Sequence, residues 1–338
     1  MAYQTGSATD LEDLISKLLT FATANGWTQD EFATADGDFA LHKDDIYVSG
    51  RWDTVTPQHV SLHQALGFDG TGTLPGDHTD DSGHGYNDSS SHVDTNLDNE
   101  RSVTYIGDGP FTTYHFFEDD DGTRSYLHVV VQSETDVYRH FGFGEVDKVG
   151  TWTGGEYCYG HYQDNGTSQQ ATAADTCMLF DGINSSNPDN IGKRNATIHV
   201  EGLNGQGGSD KWGIVFGSRT IDVSGDLDGN GNSLTRCLGG FRGGPVAFAW
   251  GGFSGSNLVG FVPMYPINVW HFEEANSRVR LLGSMPHVRG VNMRNFAPEQ
   301  EVTIGGDTWV FFPSSRRTSD NVANRTYHQG IAYKKVTT

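Results

Sequence analysis

The sequence predicts a mainly β protein: antiparallel, sandwich-like sheets with one N-terminal amphipathic helix and long polar loops. Three observations predict it. The 338 residues include 44 Gly, with many Asp, Asn, Ser and Thr, the residues from which turns are built. Hydrophobic residues are 35% and charged residues 19% of the chain, both below ordinary globular usage, which suits short strands and polar connections better than helices. The apolar residues that are present gather in short β-branched and aromatic runs bounded by turn signals.

Along the chain, the helix comes first. Thr9 and Glu12 have the spacing of a capping box, in which hydroxyl and carboxylate each satisfy an orphan backbone N–H. Leu11, Leu14, Ile15, Leu18 and Leu19 then recur at helical spacing, followed by Phe21 and Ala22, and Asn25-Gly26-Trp27 supplies the stop. A single amphipathic helix does not stand alone in water, so it is expected to dock on a sheet or on a partner subunit. From Phe39 the texture becomes β: Phe39-Ala40-Leu41-His42, a Lys43-Asp44-Asp45 turn and Ile46-Tyr47-Val48 read as a hairpin running on to Trp52. Residues 69–100 read as a long polar loop.

A three-stranded meander follows. Tyr114-His115-Phe116-Phe117 turns through Asp119-Asp120-Asp121-Gly122 into Tyr126-Leu127-His128-Val129-Val130-Val131. That strand turns through Ser133-Glu134-Thr135-Asp136 into Val137-Tyr138-Arg139-His140-Phe141-Gly142-Phe143-Gly144. Residues 163–235 are the least regular, with short apolar pieces at Cys177–Phe180, Ile198–Val200 and Trp212–Phe216. β texture returns at Val246–Trp250, Leu258–Val262, Asn268–Phe272, Arg278–Leu282 and Val302–Phe312. These readings divide the chain into an N-terminal helix and docking segment (1–35), a β domain carrying the 69–100 loop (36–162), an irregular insertion-rich connection (163–243) and a C-terminal β region expected to pack on the first (244–338). No 20–50-residue repeat appears, so propellers and solenoids lose their main signature.

Composition also bounds function. A net charge of −21 repels phosphate backbones, so a nucleic-acid partner is not expected, and acidity of this kind keeps a protein soluble. Cys158, Cys177 and Cys237 form an odd set without CxxC spacing, which argues against a disulfide framework or a zinc knuckle. The start, Met1-Ala2-Tyr3-Gln4-Thr5-Gly6, carries no signal-peptide pattern and no apolar run reaches membrane-span length, so folding in a cytoplasm is the expectation.

The opening Met1-Ala2-Tyr3-Gln4-Thr5-Gly6 with Thr9-Asp10-Leu11-Glu12-Asp13-Leu14 resembles a family of uncharacterised proteins. They are encoded in the tail and late structural gene clusters of tailed bacteriophages and prophages. Two further stretches are similar to that family. One runs from Tyr114-His115-Phe116-Phe117 through Tyr126–Val131 and His140-Phe141-Gly142-Phe143-Gly144 to Trp152-Thr153-Gly154-Gly155. The other is Pro286-His287-Val288-Arg289 with Val291-Asn292-Met293-Arg294, then Ile304-Gly305-Gly306-Asp307-Thr308-Trp309 and Phe312-Pro313. The resemblance implies a virion component, a multi-copy tail, baseplate or collar protein that assembles with other phage tail proteins as a symmetric homo-oligomer. It brings no catalytic residues, and none are assigned. A tail-tip or fibre protein binding a host surface receptor or glycan is the alternative, and a tail-associated glycan hydrolase a lower one.

Several groups invite a chemical reading. Asp226, Asp228, Asn230 and Asn232 place oxygen ligands at alternate positions with Gly231 at the sixth, the first half of a calcium loop. The twelfth position, where a bidentate Glu belongs, is Cys237, and a plain Asx-rich turn competes with calcium. If the meander pairs as drawn, His115, His128 and His140 lie near one another on neighbouring strands, where three imidazoles on one face suit a transition metal. Histidines packed and hydrogen-bonded within a sheet are the commoner case, and a one-residue register shift would turn one away. The loop Asp77-His78-Thr79-Asp80-Asp81 with His84 and His92 is a looser metal candidate. Gly205-Gln206-Gly207-Gly208 and Gly239–Gly244 lack the βαβ setting of a phosphate loop. Gly142, Gly144, Gly154 and Gly155 suit bulges or close backbone contacts, and Trp152 and Trp309 suit core or interface anchoring.

Overall fold

The computed structural model describes residues 2–54, 58–68, 104–107, 109–120, 124–160, 196–201, 212–216, 235–239, 264–273, 278–293, 296–313 and 329–335. The chain is mainly β, as its composition predicts. Strand β1 (Ala2–Ala8) leads into α1 (Leu11–Ala24). Strands β2 (Thr28–Ala33), β3 (Asp38–Lys43), β4 (Ile46–Asp53), β5 (His59–Ala65) and β6 (Thr104–Tyr105) form a small antiparallel sheet in that order.

The remaining strands are β7 (Phe111–Asp120), β8 (Ser125–Glu134), β9 (Val137–Glu145), β10 (Asp147–Lys148), β11 (Thr153–Tyr159), β12 (Ala196–Glu201), β13 (Trp212–Phe216), β14 (Thr235–Gly239), β15 (Tyr265–Glu273), β16 (Arg278–Asn292), β17 (Gln300–Ile304), β18 (Asp307–Pro313) and β19 (Gln329–Lys335). With β1 they make one sheet in the order β1-β7-β8-β9-β11-β12-β13-β14-β15-β16-β19-β18-β17, and β10 pairs with β16. Neighbours are antiparallel except β13 and β14. The segment read as an irregular connection thus contributes three described strands, two of them at the apolar pieces Ile198–Val200 and Trp212–Phe216.

This long sheet doubles back, and its two arms pack face to face. Side chains of β7, β8, β9 and β11 alternate between two cores. Tyr114, Phe116, Leu127, Val129, Val131, Phe141, Phe143 and Cys158 join a core with α1 and with Phe39, Leu41, Val48, Trp52, Val60 and Leu62 of the small sheet. Phe117, Val130, Tyr138, Tyr157 and Tyr159 join a second core with Val269, Leu282, Val288, Val310, Phe312, Ile331 and Tyr333. The β7–β9 meander is therefore the middle of three layers. Burial on both faces explains why its strands read as near-continuous apolar runs instead of alternating ones.

The helix fills the first core. Leu11, Leu14, Ile15, Leu18 and Leu19 are 0–2% exposed, each stabilising the fold by roughly 1.5–3 kcal/mol. Of the two docking sites expected for it, a sheet or a partner subunit, the apolar face takes the first: it is buried against the chain's own sheets. The cap also differs from the expected one. Asp10, not Thr9, is the N-cap, accepting from Asp13 N at 2.9 Å, while Asp13 Oδ2 accepts from Thr9 N at 2.9 Å. The cap moves one residue on, with Asp13 reaching back to the N–H before the N-cap instead of the N-cap's own, because Asp caps as well as Thr and its carboxylate also favours the positive end of the helix. At the other end Asn25 is the C-cap and Gly26 takes φ +86°, the left-handed stop the sequence predicts.

The last turn of α1 carries no basic residue. Lys43, from the end of β3, supplies the cation. Its Nζ donates to Asn25 O at 2.9 Å, sits 2.8 Å from Glu118 Oε1 of β7 and lies 5.9 Å from the Trp27 ring centroid. Lys43 and Glu118 are 8% and 2% exposed, so the pair links small sheet, helix end and middle layer inside the protein.

Candidate functional site

The second face of the middle layer carries a row of buried histidines and tyrosines. The register places His115 opposite Val130 and Val130 opposite His140. His128 lies two residues before Val130 and so points to the same side. The three histidines share one face, as the sequence reading required for them to meet. Each engages a tyrosine. Tyr3 OH is 2.9 Å from His115 Nδ1, Tyr159 OH is 2.8 Å from His128 Nδ1, and Tyr333 OH is 3.0 Å from His140 Nδ1.

His140 and His128 are closed off. His140 Nε2 donates to Pro313 O at 2.9 Å, which fixes the tautomer and leaves Nδ1 to accept from Tyr333. His128 also meets Tyr157 OH, 3.2 Å from Nε2. Burial is the main force pushing His128 down to about 3, with His287 and His140 adding to it, and burial likewise pushes His140 down to about 4. Neutral imidazoles with both ring nitrogens hydrogen-bonded are core fittings and make poor ligands. Gly142 is part of this arrangement: a Cβ there would stand 2.5 Å from Leu127 O and 2.9 Å from His128 Nδ1, so only glycine lets His128 and Tyr159 meet. Gly154 and Gly155, at φ +111° and +118°, form the bulge where β11 slips against β12.

At the rim the chemistry changes. His115 is 3% exposed, its Nε2 has no hydrogen-bond partner, and Glu299 Oε1 stands 3.7 Å away, beyond hydrogen-bond reach. Tyr138 OH donates to the same oxygen at 3.0 Å. The His115 imidazole, and to a lesser degree the Tyr138 hydroxyl, hold the Glu299 carboxyl below the usual range against a contrary push from burial. Burial raises Tyr138, with Glu299 contributing, and burial pushes Tyr3 up to about 12.

Two pairings escaped the sequence reading altogether. His287, at φ +53°, places Nδ1 2.6 Å from Asp119 Oδ2 and 3.0 Å from Tyr126 OH, tying β16 to the β7–β8 hairpin. His199 Nδ1 lies 2.6 Å from Glu156 Oε2, both largely buried. The only sequence signal was His287 within Pro286-His287-Val288-Arg289; nothing in spacing joins it to Asp119.

Among the described residues no three His, Cys, Asp or Glu side chains stand close enough to hold a metal ion. The calcium candidate Asp226, Asp228, Asn230 and Asn232 lies outside the described residues, as do Asp77–Asp81, His84 and His92. Among the described residues no helix is long and apolar enough to cross a membrane. No protein-family model matches the chain, and no curated protein matches it either.

Proposed function

We propose that the chain is a structural component of a tailed-phage virion, a multi-copy tail, baseplate or collar protein acting in particle assembly and not in catalysis. The observation that supports this reading is where the motif residues stand. Tyr114–Phe117, Tyr126–Val131 and His140–Gly144, which carry part of the resemblance, form the buried middle layer, and Val288 and Phe312 belong to its cover. A likeness concentrated in packing residues is a likeness of scaffold. Partners would be other tail proteins and further copies of this chain, met through strand edges and loops and not through the helix. In this reading the protein folds in the bacterial host cytoplasm and works in the particle.

The test is direct. Mass spectrometry of purified particles should find the protein at many copies per virion, and cryo-electron microscopy should place it in a symmetric ring. Its absence from purified particles overturns the reading. Degradation of capsule or peptidoglycan by the purified chain would replace assembly with hydrolysis.

A further inference from the structure

The long sheet has two terminal strands, β1 and β17, and they come together at the rim without pairing. Side chains bridge them instead. Tyr3 of β1 bonds His115 of β7; His115 faces Glu299, the residue leading into β17; Glu299 accepts from Tyr138 of β9. Beside this chain, Lys335 of β19 lies 4.7 Å from the Tyr3 ring centroid and 2.7 Å from Glu301 of β17.

Glu299 is held at φ +62°, a left-handed backbone that costs a non-glycine residue energy, and its N–H donates to Phe311 O at 2.8 Å. Beyond it β17 is nearly bare, with Gln300, Glu301, Thr303 and Ile304 exposed, and among the described residues it pairs with β18 alone. A strand this exposed has little packing of its own to hold it in place.

We propose that Glu299 is a latch: its carboxylate, held by Tyr138 and facing His115, fastens the β17 edge across the seam to the middle layer. The strained backbone persists because that side chain is fixed. Order in the exposed edge therefore leans on this carboxylate contact, beside the pairing with β18 and the Lys335–Glu301 ion pair.

Glycine separates this from an ordinary left-handed turn, since it removes the latch and relieves the backbone at once. Hydrogen exchange on the full chain should follow peptides covering 300–313, with 126–131 of the middle layer as the internal reference. Glu299→Gly should speed exchange in 300–313 roughly tenfold or more, the scale of losing a charge-assisted hydrogen bond, and leave 126–131 unchanged. Tyr138→Phe, which keeps the ring, should act in the same direction. The double variant should match Glu299→Gly alone, because both remove one contact. Unchanged or slower exchange in Glu299→Gly means a plain turn and overturns the proposal. Acceleration of 126–131 to the same degree also overturns it, since the effect would then be global.

Discussion

Strands β8 and β17 belong to one sheet and are both antiparallel to their neighbours, yet they live in opposite environments. β8 has a strand on each side and a layer on each face, and Tyr126–Val131 are 0–2% exposed. β17 sits at the end of the sheet with four of its five residues exposed. Backbone pairing alone does not rank strands. What a strand contributes depends on how many of its faces are covered, and position in the layer order decides that.

The largest effect should come from the middle layer. Phe141→Ala, at a side chain 0% exposed, should lower stability by about 3–5 kcal/mol in urea unfolding, through lost transfer energy and the cavity left behind. A cost under about 1 kcal/mol would mean that the layer is loosely packed.

Next comes the buried pair. Lys43→Met should cost about 3 kcal/mol because it takes from the buried Glu118 carboxylate the cation it pairs with, and adding Glu118→Leu should restore most of the loss. If the double variant is no better than the single, the lysine acts chiefly as the helix cap.

Acid dependence follows from the histidine face. His128 and His140 have folded values near 3 and 4, below the ordinary 6.5, so the unfolded chain takes up protons first as pH falls. Their contribution is fully present above about pH 6.5 and declines below it, down to about 4 for His140 and about 3 for His128, by up to about 1.4 kcal/mol per pH unit for each histidine. His140→Gln should flatten that slope in urea melts at pH 7, 5.5 and 4.5. A wild-type slope already flat over that window would show that these imidazoles are not held neutral.

The smallest effect belongs to the edge: Ile304→Ala should change stability by no more than about 0.5 kcal/mol. A much larger, concentration-dependent loss would reveal that Ile304, 41% exposed in the isolated chain, is buried between copies.

The same contrast governs what was legible in the sequence. The meander could be read because double burial writes itself as unbroken β-branched and aromatic runs between strong turns. Strand β5 could not: His59, Ser61, His63 and Gln64 are polar yet buried, so neither alternation nor an apolar run marks them. Strands β1 and β2 lack such runs too and depend on the sheets they join. The helix was legible to its end residues, its cap to within one residue. Of the candidate site, a shared face for His115, His128 and His140 followed from drawing the hairpins correctly. Their tyrosine partners, and the pairs Asp119–His287 and Glu156–His199, arise only when distant strands are brought into register, which local pattern cannot encode.

Strand β19 follows the β17–β18 hairpin in sequence but lies between β16 and β18 in space. A ribosome making this chain therefore produces the whole histidine face long before the strand bearing Tyr333 arrives to close over it. Until residues 329–335 emerge, the strand that belongs between β16 and β18 is missing, and the aromatic surface on β7–β11 is only partly covered. Non-local closure of this kind is slow and exposed to aggregation. The protein should thus depend on holdase chaperones during synthesis more than a sheet of local hairpins would, and any truncation upstream of β19 should yield insoluble material, not a smaller domain.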